Sequence, residues 1–202
     1  MTDQPGSVAL GNTYDKVSTK SGVERRLVDG FDAAFASLVP EKVDRCLEVG
    51  CGEGHQMRSL AESHPEATLT GVDIAGPDWL GEHHEKGSAI STADAAALPF
   101  GDRTFDLVIA LEVLEHVDEP RTVLSEIARV ANDVVIISVP WEPVWCAGNL
   151  LRGRYITKLG NTPGHLNHFT RRGLLRAVGE FFDVEAVRKP LPWTFVRARA
   201  RS

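Results

Sequence analysis

From residue 43 onward, short runs dense in β-branched and apolar residues alternate with stretches whose apolar positions recur at helical spacing. VDRCLEVG, ATLTGVDI, SAIST, FDLVIAL, DVVIISVP, DVEAVRK and WTFVRARA read as seven strands, most of them separated by intervals long enough for a crossover helix. RTVLSEIARVAND lines up Val123, Leu124, Ile127, Ala128 and Val130 as one apolar stripe, with Pro120 near its start and Asn132 near its end. It should cover one face of a sheet. Ahead of the first strand, VERRLVDGFDAAFASL puts Leu27, Phe31, Ala34, Phe35 and Leu38 on one helical face, and Pro40 stops it. RRGLLRAVGEFF forms a further helix near the end. Strands alternating with helices place the chain in the α/β class.

Composition fits a single domain over residues 1–202: 43% of the residues are hydrophobic and 25% charged, enough for one sizeable core. Residues 1–22 read as an N-terminal arm and residues 141–170 as an insertion over the site. The formal charge of −6 argues against wrapping a phosphate backbone, so nucleic acid is disfavoured as a partner. Arg152, Arg154, Arg171, Arg172 and Arg176 still allow a local basic patch and an anionic substrate. Cys46, Cys51 and Cys146 lack zinc-type spacing and fit a reduced chain. No run reaches the roughly 18–20 apolar residues of a membrane span, and the start MTDQPGSVAL does not resemble a leader, so the expected location is the cytoplasm.

LEVGCGEG, residues 47–54, concentrates Gly50, Gly52 and Gly54 behind a strand that carries Glu48. A strand running into glycines and then a helix exposes backbone amides that a ligand can approach without meeting a Cβ. A bare tight turn would use the same residues. The spacing departs from the G-x-G-x-x-G of dinucleotide sites, which disfavours a nicotinamide cofactor. The next strand ends in GVDI, where Asp73 can accept from both hydroxyls of a ribose. After the third strand, Asp94 can take an adenine amino group while Ala95 offers a backbone amide to the ring. Either acid alone reads as a cap or a surface charge. At successive strand ends, the two together point to an adenosine ligand.

Across roughly residues 43–140, LEVGCGEG, GVDI, DAAALPF and FDLVIALEVLEHV resemble the class I S-adenosylmethionine-dependent methyltransferases, and within them the methyltransferase type 11 group. The resemblance implies a Rossmann-like seven-stranded sheet of order 3-2-1-4-5-7-6 with strand seven antiparallel, helices on both faces and a small substrate cap. It also implies that Glu48 and the Gly50, Gly52 and Gly54 loop hold the methionine part of S-adenosyl-L-methionine. Asp73 would hold the ribose with Ile74 beside it, Asp94 and Ala95 the adenine, and the backbone at Leu111 would close the pocket.

Methyl transfer from a sulfonium is an in-line displacement, so the protein must align the acceptor and exclude water, and a hydroxyl acceptor also needs a base or a Lewis acid. EVLEH, residues 112–116, offers both: His116 as general base, or Glu112, Glu115 and His116 as ligands of a divalent ion such as Mg²⁺. A structural role for the motif is the plain alternative. GNTPGHLNHFT adds His165, Asn167 and His168 as candidates for acceptor binding, catalysis or, for His168, metal ligation; the same residues can simply lead into a helix capped by Thr170. The E-x-x-E-H pattern with the later His-Phe-Thr is similar to two metal-using groups, the quinone-pathway catechol O-methyltransferases and the small-RNA terminal 2′-O-methyltransferases. Trp141, Trp145 and Tyr155 interleaved with Arg and Asn suit a ring with one apolar face, as sugars have, or else pack inside the cap. The NTYDK start and LGNTPGHLNHF also resemble actinobacterial saccharide methyltransferases. The expected function is an S-adenosylmethionine-dependent O-methyltransferase acting on a hydroxyl of a small-molecule or oligosaccharide acceptor. The alternatives are a catechol or quinol O-methyltransferase and, from another class, a protein that binds the cofactor without turnover.

Overall fold

The computed structural model describes residues 22–74, 88–142, 144–146 and 165–201. The arm at 1–21, most of the insertion at 141–170, Tyr155, Arg152 and Arg154 lie outside them. Seven strands form one sheet: β1 (Arg45–Val49), β2 (Thr68–Asp73), β3 (Ser88–Thr92), β4 (Phe105–Leu111), β5 (Ala131–Pro140), β6 (Phe182–Arg188) and β7 (Trp193–Ala200). Their order is β3-β2-β1-β4-β5-β7-β6; β7 runs antiparallel to both of its neighbours, β5 and β6, and the other pairings are parallel. All seven expected strands, and their order, are present.

The period of two along the central strands builds two cores. Leu107 and Ile109 of β4 face one side, where Phe31 and Phe35 of α1 (Gly22–Ala36) and Met57 and Leu60 of α2 (His55–Ser63) pack with Phe195. Val108 and Ala110 face the other, against Val123, Leu124, Ile127 and Val130 of α3 (Pro120–Val130) and Leu174 and Val178 of α4 (Arg171–Phe181). The apolar stripe of α3 is thus the expected one, with Pro120 at its first turn. Its end differs from expectation. The helix stops at Val130, and Asn132 belongs to β5, where its side chain accepts from Arg103 Nε at 3.3 Å. Burial decides this: Ala131 and Val134 are needed in the sheet, so the strand begins at once. Thr170 caps α4 by accepting from the Gly173 amide at 3.0 Å.

Phe31 ties α1 to the sheet. It is 1% exposed and meets the rings of Trp193 and Phe195 edge-on at 5.0 and 4.7 Å. Phe31→Ala should cost about 3–5 kcal/mol of unfolding free energy through the cavity it leaves. Urea denaturation reads this as a lower midpoint at unchanged slope. A loss below about 1 kcal/mol would mean that α1 is not anchored there.

Candidate functional site

The strand order reverses between β1, whose neighbours are β2 and β4, and the outward runs on either side, so a crevice opens beyond the carboxyl ends of β1 and β4. The glycine loop occupies that position. Gly50, Gly52 and Gly54 all take positive φ, at 70°, 48° and 71°. The amides of Gly50 and Cys51 both donate to the Val72 carbonyl, at 2.7 and 3.1 Å, which folds the loop over the end of β2. A Cβ on Gly50 would stand 2.5 Å from Val113 Cγ2, so part of the glycine requirement comes from the protein's own packing. Gly54 caps α2 in the left-handed conformation, and among the described residues a Cβ there would meet only Ile90, at 3.7 Å. Burial, with the charges of Glu48 and Asp73, pushes the Cys51 thiol far up, which keeps it protonated.

Asp73 and Ile74 lie together at the end of β2. Asp73 Oδ2 accepts the Gly52 amide at 2.9 Å, fixing the carboxylate against the glycine loop. Ile74 is 56% exposed, an apolar side chain beside the acid. Asp94 forms an Asx turn, its Oδ1 accepting from Ala96 N at 2.8 Å and its carbonyl from Ala97 N at 3.0 Å. Ala95 packs on the α3 side of the sheet. A strap that the sequence did not announce holds this turn. Arg129 donates to the Leu98 and Phe100 carbonyls at 2.9 and 2.7 Å and to both oxygens of Glu126, and Glu126 accepts the Leu98 amide at 2.8 Å. The Arg129 hydrogen bond holds the Glu126 carboxyl below its usual range, with the Leu98 amide adding to it. The i,i+3 spacing of Glu126 and Arg129 is that of an ordinary helix pair and carries no sign of the strap. Asp32 was missed as well: it reaches from α1 to accept from Gln56 Nε2 at 3.3 Å and faces His55 Nε2 at 3.7 Å.

Past β4, Leu111 ends the strand and Glu112 adopts φ 58°, a strained conformation for a non-glycine residue. Glu112 Oε1 accepts from Trp193 Nε1 at 2.6 Å, so it is drawn toward β7. Among the described residues, the set that converges as candidate ligands is instead Glu115, His116 and His165, whose ligand atoms lie within 4.8 Å of one another. Of the expected metal residues, Glu115 and His116 belong to this set and Glu112 and His168 do not. Two imidazoles and one carboxylate suit a transition ion better than Mg²⁺, which prefers oxygen, and the same trio can pass a proton.

Glu115 is 1% exposed, while His116 stands open to solvent with its ring edge-on to His165 at 4.9 Å. The 165–170 segment is stitched to the β4 loop through the Glu115 carbonyl, which accepts from Leu166 N and Asn167 N at 2.7 and 3.1 Å. Asn167 Nδ2 donates to the Val117 and Leu114 carbonyls at 2.6 and 3.2 Å. Asn167 thereby positions the histidines. Glu142, just past β5, is 5% exposed; its Oε1 meets His165 Nδ1 at 2.8 Å, and its Oε2 accepts from the Cys146 thiol at 3.3 Å and faces His168 Nδ1 at 3.6 Å. Burial raises the Glu142 carboxyl, but the hydrogen bond and charge of His165, helped by Cys146 and His168, outweigh it and hold the group below its usual range. Nothing in the sequence around Glu142 marks it beyond being one more acid at a strand end. The indoles are engaged inside the protein: Trp145 lies stacked 6.3 Å from His165, and Arg171 sits 3.7 Å over the Trp141 ring.

Residues 47–136 match a family described as "Methyltransferase domain". An O-methyltransferase of Penicillium expansum, cnsE, is 35% identical over 100 residues, 46% of this chain and 36% of that protein. The chloroplastic tocopherol O-methyltransferase of Arabidopsis thaliana is 27% identical over 168 residues, 75% of this chain and 44% of its own length. The chain therefore spans less than half the length of both relatives. Among solved structures, a chain of the complex between the Haloferax volcanii Trm112 methyltransferase activator and a methyltransferase superposes with a TM-score of 0.72 at 16% identity, covering 90% of this chain and 92% of that one. Magnesium protoporphyrin IX methyltransferase from Synechocystis PCC 6803, solved with bound SAH, gives 0.65 at 21% identity, covering 91% and 90%. These likenesses show the fold, a Rossmann-like seven-stranded sheet shared with methyltransferase structures.

The glycine loop provides a direct check. Gly50→Ala and Gly54→Ala both place an alanine at positive φ, a cost of roughly 1–2 kcal/mol. Only Gly50→Ala adds the clash with Val113, so it should lower the melting temperature more. Adding Val113→Ala should restore part of that extra loss, a coupling that a double-mutant thermal melt measures. Purely additive losses would show that Val113 does not set the Gly50 requirement.

Proposed function

We propose that the chain is an S-adenosylmethionine-dependent O-methyltransferase whose acceptor is a hydroxyl of a saccharide. One observation carries the reading: the cluster of Glu115, His116 and His165 follows β4 at the same carboxyl edge that bears the glycine loop, Asp73 and Asp94. The cofactor, when bound, supplies an electrophilic methyl, so that a C–O bond forms as the C–S bond breaks and its electron pair stays on sulfur. In this reading Glu48 and the Gly50–Gly54 amides hold the methionine part. Asp73, already anchored through Oδ2, takes the ribose hydroxyls, Ile74 lies against the adenosine, and Asp94 with Ala95 reads the adenine edge. Leu111 closes the pocket. The imidazoles of His116, His165 and His168 orient the acceptor and receive its proton.

The saccharide reading is supported by the polar side chains at this edge, where, among the described residues, His116 and His168 are exposed. A phenolic acceptor is the second reading, favoured by the relative named for tocopherol. The cyclase SpnF superposes with a TM-score of 0.67 at 15% identity, so the fold alone does not select methyl transfer. Mg²⁺ meets a donor set that does not suit it, and Glu112 is turned to Trp193. Cys46, Cys51 and Cys146 are free thiols, which supports a reducing compartment, the cytoplasm.

Incubation with methyl-labelled S-adenosylmethionine and a panel of glycans and catechols should label a glycan hydroxyl, and excess chelator should leave the rate unchanged. Label on catechols alone would replace the acceptor, and no label on any hydroxyl would sink the reading. Loss of turnover with chelator, restored by Mg²⁺, would reinstate the ion. Asp73→Ala should weaken cofactor binding by roughly 1.5–3 kcal/mol, about 10- to 150-fold, as hydrogen bonds to a charged group are lost. Calorimetry measures it, and an unchanged affinity would remove Asp73 from the site.

A further inference from the structure

Three imidazoles stand near the proposed acceptor site, and the surroundings of one differ from those of the others. His165 is 9% exposed, its Nδ1 lies 2.8 Å from Glu142 Oε1, and its ring is stacked on Trp145. His168 is half-exposed and its Nδ1 stays 3.6 Å from Glu142, beyond hydrogen-bond length. His116 is open to solvent. The main chain on both sides of the His165–Glu142 contact is fixed. Leu166 and Asn167 amides donate to the Glu115 carbonyl, Trp141 N donates to the Pro192 carbonyl at 2.7 Å, and Glu142 N donates to the Phe169 carbonyl at 3.4 Å.

We infer that His165 is the group that takes the acceptor proton, and that Glu142 is its positioning residue, holding the ring in the Nδ1–H tautomer with the lone pair on Nε2. This rests on the methyl-transfer reading above. The physical reason is general: the partner of one imidazole nitrogen decides which nitrogen carries the proton. An ionised carboxylate can only accept, so Nδ1 must donate. Cys146 contributes by keeping its proton, because burial and the Glu142 hydrogen bond push its thiol up to about 11; it donates to Oε2 and leaves Oε1 for the ring. When the acceptor O–H bond breaks, its proton passes to Nε2 and its electron pair goes into the new C–O bond. The imidazolium so formed keeps the buried Glu142 carboxylate 2.8 Å from Nδ1, and the buried Glu115 carboxylate has an oxygen within 4.8 Å of a ring nitrogen. Preorganised charge of this kind needs no rearrangement during the step.

The ring ¹⁵N spectrum of the whole chain, with His165 assigned by its loss in His165→Gln, reads the tautomer without reference to turnover. Wild type should show a protonated Nδ1 and an unprotonated Nε2 at a pH where the ring is neutral. Glu142→Leu should lose that preference, and its kcat should fall roughly 10²- to 10⁴-fold at an unchanged cofactor Kd. Glu142→Gln, whose amide oxygen can still accept from Nδ1, should keep the tautomer and lose less rate. An Nε2–H tautomer in wild type overturns the inference even if Glu142→Leu fails to fold, and so does a Glu142→Leu chain with wild-type tautomer and rate. Absence of methyl transfer by wild type overturns the functional reading and the base role with it, whereas a wrong tautomer in an active enzyme overturns only the assignment of Glu142 and His165.

Discussion

The two amides of Gly50 and Cys51 share the carbonyl of Val72, and this contact sets the geometry of everything at the carboxyl edge of the sheet. It bends the chain leaving β1 across the end of β2 and brings the Gly52 amide to Asp73. It also brings Gly50 so near Val113 that no side chain fits between them. The loop after β1 is thereby locked to the ends of both neighbouring strands. Because the strand order reverses at this place, the lock also defines where a ligand can enter.

The second half of the site is assembled differently. Glu115, His116, Glu142 and His165 come from two strand ends and a distant segment, joined through backbone carbonyls more than through side-chain pairs. Asn167 illustrates this, since its side-chain amide and its backbone amide both donate to main-chain carbonyls of the β4 loop. Such stitching ties the backbone that carries His165 to the loop after β4. The strained Glu112, held by Trp193, marks the junction with the first half.

Most of the fold was legible in the sequence because the period-two strands and the α3 stripe obey local rules, and the glycines and acids at strand ends announce their place by order alone. The strand order came from resemblance, since periodicity does not encode it. The end of α3 was misjudged because Asn132 resembles a helix terminator, while the sheet needed Ala131 and Val134. Glu142, Asp32 and the Arg129 strap were invisible for a common reason. Their partners lie 23, 24 and about 30 residues away, and no local pattern distinguishes a buried acid with a distant partner from a solvated one. The contact of Glu112 with Trp193 is illegible for the same reason, because the two lie 81 residues apart.

The central claim is that one ligand-binding edge joins the glycine loop, the two acids and the imidazole cluster. Hydrogen–deuterium exchange with and without S-adenosylhomocysteine tests it most directly. Added protection should concentrate in residues 48–54, 72–74, 93–98 and 111–116, with β6 and the charged ends of β5 and β7 unchanged. Protection centred on β6, or none at saturating ligand, would contradict it.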